Sequence, residues 1–127
     1  MKYLSIDLET YSPLNLSKTG VYPYAAHSDF EILLFGYAVD DGPVQVVDLA
    51  SGEKLPKEIL AALMNPGVVK WAFNASFERI CLSSWLHRYH PELLPQGSFL
   101  DPAQWYCSMI WAAYLGMPMS LDQVAKV

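Results

Sequence analysis

Two acidic residues stand one residue apart near the start of the chain, in the segment Leu4-Ser5-Ile6-Asp7-Leu8-Glu9-Thr10. Residues 3–9 alternate between apolar and polar types, which predicts a β-strand. Positions i and i+2 of a strand point to the same side, roughly 6.5–7 Å apart, so Asp7 and Glu9 are expected side by side. Two carboxylates this close repel each other unless they share a proton or bind cations. The pair therefore indicates a site for the divalent ions that assist phosphodiester cleavage, although a polar strand end would show the same pattern.

A third acidic residue, Glu78, follows a second predicted strand. The run 68–73 is apolar, β-branched and aromatic, which is typical of a buried strand, and Asn74 or Ser76 can cap a helix directly after it. Glu78 then lies in the first turn of that helix, where the positive end of the macrodipole favours a charged carboxylate. The helix is expected to pack through apolar side chains that recur every four residues: Phe77, Cys81, Trp85 and Tyr89.

The two acidic segments resemble the first two motifs of the DEDD (DnaQ-like) 3′→5′ exonucleases, the superfamily of polymerase proofreading domains. Asp7-x-Glu9-Thr10 is similar to the first motif, and Asn74-x-x-Phe77-Glu78 to the second. The stretches 16–24 and 30–37 resemble the N-terminal exonuclease region of phage-type family A (DNA polymerase I-like) polymerases. The resemblance implies an α/β ribonuclease H-like fold, with a mixed sheet and flanking helices.

The same resemblance implies a function and a set of site residues. Asp7, Glu9 and Glu78 would be the catalytic residues and would hold two divalent metal ions, Mg²⁺ or Mn²⁺. Four further residues would line the terminal nucleotide: Leu8, Thr10, Asn74 and Phe77. The expected partners are the 3′ end of single-stranded DNA and the rest of a parent polymerase chain.

The chain departs from the family pattern in two ways. Glu78 stands where the family usually has Asp, which is one methylene shorter. The fourth acid is absent: no Tyr-x-x-x-Asp follows Glu78, and the pair His87/Glu92 lies too close to the second motif to supply it. A capping box at Ser120-x-x-Gln123 opens a helix that is cut after about two turns. We therefore expect residues 1–127 to be an incomplete exonuclease domain, C-terminally truncated.

Composition is consistent with one α/β domain. The chain has 127 residues, 53% of them hydrophobic, which is above the usual globular average. Its net charge of −5 argues mildly against a duplex-binding surface, although bound cations would neutralise an acidic cluster. Lys2, Lys18, Lys70 and Arg79 are the candidates for phosphate contacts, with solvated surface charge as the commoner role.

No secretory signal is visible, and the longest apolar stretch, around residues 109–119, contains Gly116 and Pro118 and is too short to cross a bilayer. Cys81 and Cys107 have no metal-binding spacing and are expected to be buried thiols on helices in a reducing compartment. These features predict a cytoplasmic protein with no membrane partner.

The predicted elements follow the ribonuclease H-like order. Strands are expected at 3–8, 31–39, 44–49 and 68–73, helices at 56–64, 76–89 and 102–115, an irregular loop up to residue 29, and a hairpin turn at 40–43. Two other functions remain open at this point: a non-catalytic nucleic-acid-binding or scaffold domain, and a stand-alone DEDD ribonuclease.

Overall fold

A computed structural model describes residues 1–108 as a mixed five-stranded sheet with helices. The strands are β1 (Tyr3–Tyr11), β2 (Glu31–Val39), β3 (Gln45–Asp48), β4 (Val69–Ala72) and β5 (Trp105–Cys107). The helices are α1 (Leu16–Thr19), α2 (Val21–Ala26), α3 (Lys57–Met64) and α4 (Ala75–Tyr89), with 3₁₀ turns at Leu49–Ser51 and Pro102–Gln104.

The strand order across the sheet is β3-β2-β1-β4-β5. β1 and β2 are antiparallel, as are β2 and β3, whereas β4 runs parallel to both β1 and β5. This arrangement confirms the predicted ribonuclease H-like mixed sheet. It places β1, which carries the first two acids, in the centre of the sheet.

The alternation of β1 separates a packed face of the sheet from an open one. Leu4, Ile6 and Leu8 are buried, and α4 contacts β1, β2, β4 and β5. The opposite face carries Asp7 and Glu9. It also leaves large apolar side chains exposed: Tyr3, Val44, Val46 and Tyr106.

The hairpin that follows β2 fixes the start of β1. The backbone N–H groups of Lys2 and Tyr3 donate to Oδ1 of Asp40, at 2.7 and 2.9 Å. These hydrogen bonds favour the charged form and lower the pKa of Asp40. The predicted turn at 40–43 is confirmed, since Gly42 N–H donates to the carbonyl of Val39.

The predicted loop before residue 29 contains two short helices. Asn15 caps α1, because its side-chain oxygen accepts from the N–H of Ser17. Gly20 has φ +79° and separates α1 from α2, a conformation that an L side chain rarely adopts. The loop prediction failed because the Ser, Pro and Asn residues of this stretch favour loops, and here Asn15 instead caps a helix.

The predicted helix at 102–115 was wrong over residues 102–107, although residue 108 is helical. Asp101 does act as a cap, accepting from the N–H of Ala103, but it opens only a 3₁₀ turn. β5 follows, paired in parallel with β4, and the rings of Trp71 and Tyr106 stack at 5.2 Å. Cys107 therefore lies on a strand, not in a helix core. Residues from Met109 onward, including the predicted capping box, lie outside the described residues.

Two predicted surface cations also have structural roles. Lys70 is only 1% exposed, and its Nζ donates to the carbonyl of Asn65 at 2.7 Å. Burial lowers the pKa of Lys70 to about 8. Arg79 donates from Nη1 to the carbonyl of Leu100. These contacts tie α4 and β4 to neighbouring loops, so neither residue is a solvated surface charge.

The prediction that α4 packs through side chains four residues apart is confirmed at the centre of the helix. Cys81 and Trp85 are buried, Phe77 is partly buried, and Tyr89 is 47% exposed. Tyr89 leaves the core because the helix ends there, and its hydroxyl donates to Glu31.

We expect Trp85→Ala to lower the free energy of unfolding by about 3 kcal/mol. This is the low end for buried tryptophan, because one side of the ring lines a surface groove that can relax. Urea denaturation would measure the change. The matched variant Trp71→Ala, on the open face of the sheet, should cost less, and an unchanged Trp85→Ala protein would contradict the assigned helix face.

Candidate active site

The first acid, Asp7, is exposed on the open face of the sheet. Its partner on β2 is Gly36, and a Cβ atom added at Gly36 would lie 3.3 Å from the backbone oxygen of Asp7. Since paired residues of antiparallel strands share a face, this glycine leaves the region beside the carboxylate uncovered. A groove of about 460 Å³ lies there, with Asp7, Gly36 and Phe73 among its lining residues. Gly36 was not predicted as a site residue, because a glycine inside an apolar run carries no chemical signal.

The second acid, Glu9, is the last residue of β1 before an irregularity. Glu9 pairs with Leu34, and the next pair is Thr10 with Ile32, so the register shifts between Glu9 and Thr10. Bulges of this kind bend a strand and redirect its side chains, and they are over-represented near active sites. Thr10 then makes a hydrogen bond of 2.9 Å through Oγ1 to the hydroxyl of Tyr24.

The third acid, Glu78, lies in the first turn of α4, as predicted. Asn74 is the cap, and its side-chain oxygen accepts from the N–H of Phe77 at 3.5 Å. The N–H of Glu78 donates to the carbonyl of Asn74. Glu78 is only 5% exposed, which is unusual for a carboxylic acid.

The carboxyl group of Glu78 lacks a protein partner for one of its oxygens. Oε2 is buried and makes no hydrogen bond within residues 1–108. Burial raises the pKa of Glu78 to about 8, and the negative charge of Asp7 adds to this rise. At neutral pH the group therefore binds a proton unless a cation takes the proton's place. A buried, unsatisfied carboxyl oxygen beside a second carboxylate is suited to a hard divalent cation.

The described residues bring together only part of the predicted set. Asp7 and Glu78 interact electrostatically across the β1–α4 contact. Within residues 1–108, however, no group of three or more His, Cys, Asp or Glu side chains is close enough to hold a metal ion. Glu9 is exposed and does not complete such a group with the other two acids.

Cys81, one turn after Glu78, takes no part in this chemistry. Burial raises the pKa of its thiol, and the neighbouring Glu78 carboxylate raises it further. A protonated thiol is a poor nucleophile and a poor metal ligand. The expectation of a buried thiol on a helix is therefore confirmed at this position.

The four predicted nucleotide-lining residues lie around the acids. The side chain of Leu8 is buried, so only its backbone can face a ligand. Thr10 and Phe77 are partly buried, and both contact Tyr24. Asn74 is exposed, with its side-chain oxygen engaged in the helix cap. Tyr24 was missed as part of this region, because nothing in its spacing links it to either motif.

No helix among the described residues has the length and apolarity needed to cross a membrane.

Comparison with known proteins supports a relationship to a polymerase. No family model matches the chain. Over 126 residues it is 51% identical to the DNA polymerase of Bacillus phage SP02, an alignment that covers 99% of this chain and 18% of that polymerase. The chain thus spans less than a fifth of the relative that it matches.

Solved structures of low sequence identity share the fold. Brucella melitensis NrnC with bound Mg²⁺ superposes with a TM-score of 0.60 at 16% identity, covering 98% of this chain and 52% of NrnC. NrnC bound to pGG gives a TM-score of 0.55 at 18% identity, covering 98% and 51%. The chain is therefore similar over 126 residues to a phage DNA polymerase, and it shares its ribonuclease H-like fold with the NrnC structures.

Proposed function

We propose that this chain is the 3′→5′ exonuclease domain of a DNA polymerase, which removes 3′-terminal nucleotides in a proofreading role. The observation that carries the proposal is the buried Glu78 carboxyl beside Asp7, with one oxygen lacking a hydrogen bond within residues 1–108. The 51% identity to a phage polymerase and the shared DEDD nuclease fold support the same function.

Divalent metal ions, Mg²⁺ or Mn²⁺, fit the residues that are present. Asp7 and Glu78 would hold them, and Glu9, which forms no group with these two acids in residues 1–108, is proposed as an additional ligand. The fold is shared with an NrnC structure that contains Mg²⁺. Two such ions, when bound, activate water and stabilise the leaving oxygen of a phosphodiester. A cation beside Glu78 would also lower the pKa that burial raises, so at neutral pH the carboxylate would be charged mainly in the metal-loaded site.

The protein's own residues would bind and orient the terminal nucleotide. Thr10 follows the acids of β1 and Phe77 precedes Glu78 on α4, and the groove beside Asp7 would give a single strand access to that acid. Because the acids lie on a sheet face between secondary structure elements, a terminal nucleotide must leave a duplex to reach them. Single-stranded DNA is therefore the proposed substrate.

Titration of the 127-residue protein with Mn²⁺ tests the metal site directly. We expect weak binding of a single ion, because the sequence lacks the family's fourth acid. Asp7→Ala should remove this binding while the fold survives, since Asp7 is an exposed side chain whose removal opens no cavity in the core. Isothermal titration calorimetry would measure the affinity.

The control for this titration is Asp41→Ala, which removes an exposed acid from the hairpin turn. It should bind Mn²⁺ as tightly as the wild-type protein. Equal affinity in the wild type and Asp7→Ala would contradict the metal site. It would favour the alternative of a non-catalytic nucleic-acid-binding or scaffold domain.

A further inference from the structure

Tyr24, on α2, connects the two acidic segments through its side chain. Its hydroxyl shares a hydrogen bond of 2.9 Å with Oγ1 of Thr10, directly after the acids of β1. Its ring lies 6.0 Å from the ring of Phe77, in the first turn of α4, and 5.9 Å from the ring of Phe30. One side chain thus contacts both segments that supply the acids.

Thr10 occupies a position where the sheet alone does not fix the chain. The β1–β2 register shifts between Glu9 and Thr10, and such a shift disrupts the local ladder of hydrogen bonds. The hydrogen bond with Tyr24 gives Thr10 a fixed partner at this point. The orientation of the Thr10 side chain therefore depends on α2 as well as on β2.

Contacts with Phe30, and through it with α4, hold Tyr24 in place. Phe30 is 1% exposed, and its edge-to-face contact sets the plane of the Tyr24 ring. Arg88, near the end of α4, donates to the carbonyl groups of Phe30 and His27, at 2.6 and 3.2 Å. The segment between α2 and β2 is thus tied to α4, so Tyr24 rests on a rigid support.

We propose that Tyr24 is a positioning residue for the terminal nucleotide. It fixes Thr10 on β1 relative to Phe77 on α4, so that both face a nucleotide at the acids in one arrangement. Tyr24 acts through these two residues and has no role in the chemical step. This inference rests on the proposed exonuclease function.

The test is the affinity of the 127-residue protein for thymidine 5′-monophosphate in the presence of Mn²⁺. Tyr24→Phe keeps the ring and removes only the hydroxyl, and we expect it to weaken binding about three- to tenfold. Affinity for Mn²⁺ alone should not change. In the Thr10→Val background the same substitution should have little further effect, because the hydrogen bond is already lost.

Tyr89→Phe is the matched control. It also removes a hydroxyl that makes one side-chain hydrogen bond, to Glu31, but at the other end of α4. Nucleotide affinity equal to that of the wild type is expected for this control. A Tyr24→Phe protein with a lower melting temperature and full nucleotide affinity would show a purely structural role and overturn the inference. If the wild-type protein binds Mn²⁺ but no nucleotide, both the nucleotide site and the role of Tyr24 are contradicted. If the wild-type protein does not bind Mn²⁺ at all, the proposed exonuclease function itself is contradicted.

Discussion

A longer protein that carries this chain and continues through a Tyr-x-x-x-Asp motif should degrade single-stranded DNA stepwise from its 3′ end. The 127-residue chain alone should release essentially no nucleotide with Mg²⁺ or Mn²⁺. Its sequence has no Tyr-x-x-x-Asp after Glu78, and in the proposed mechanism that motif would supply a fourth ligand and orient the attacking water. Hydrolysis of this type requires fixed ion geometry, and misplacement of about 1 Å can cost on the order of 100-fold in rate.

Within that longer protein, Asp7→Ala should reduce the rate at least about 1,000-fold, because it removes the central acid of the site. Gel analysis of 5′-labelled oligonucleotides would measure both the rate and the direction of cleavage. Asp41→Ala, in the hairpin turn, should retain full activity. If the longer protein cleaves neither DNA nor RNA with either metal, the exonuclease proposal is wrong. Cleavage of RNA alone would favour the ribonuclease alternative.

The parts of the site that follow local rules could be predicted from the sequence. Alternation in β1 placed Asp7 and Glu9 on the open face, and the Asn74 cap placed Glu78 in the first turn of α4. Both are properties of neighbouring residues, governed by strand periodicity and by capping.

The parts that depend on distant contacts could not be predicted. The strand Trp105–Cys107 exists because it pairs with β4, whereas the apolar run and the cap at Asp101 predict a helix from local signals. Lys70 was read as a surface charge, since nothing local shows that its amine can reach the carbonyl of Asn65. Glu78 was expected to be a charged carboxylate at a helix N-terminus. Its burial against β1 instead makes the neutral form dominant without a cation.

This burial of Glu78 should make stability depend on pH in a specific direction. The pKa rises from an ordinary 4.5 to about 8 in the folded protein, so the folded state binds more protons than the unfolded state between these values. The free energy of unfolding should therefore fall as pH rises from about 5 to 8, by at most about 5 kcal/mol, because one pKa unit corresponds to about 1.4 kcal/mol. Glu78→Gln, which keeps the shape and cannot ionise, should lack this decrease and be the more stable protein at pH 8.

Thermal or urea unfolding across this pH range would measure the difference between wild type and Glu78→Gln. Glu58→Gln is the matched control, since Glu58 is an exposed acid in the first turn of α3, and it should keep the wild-type slope. Lys70, whose pKa is lowered to about 8, adds stability as pH rises above that value, but it does so in all three proteins and cancels in the comparison. Mn²⁺ should stabilise the wild type more at pH 8 than at pH 5, because at the higher pH fewer protons compete for the carboxylate. Identical pH slopes for wild type and Glu78→Gln would show that Glu78 is not the buried acid beside Asp7.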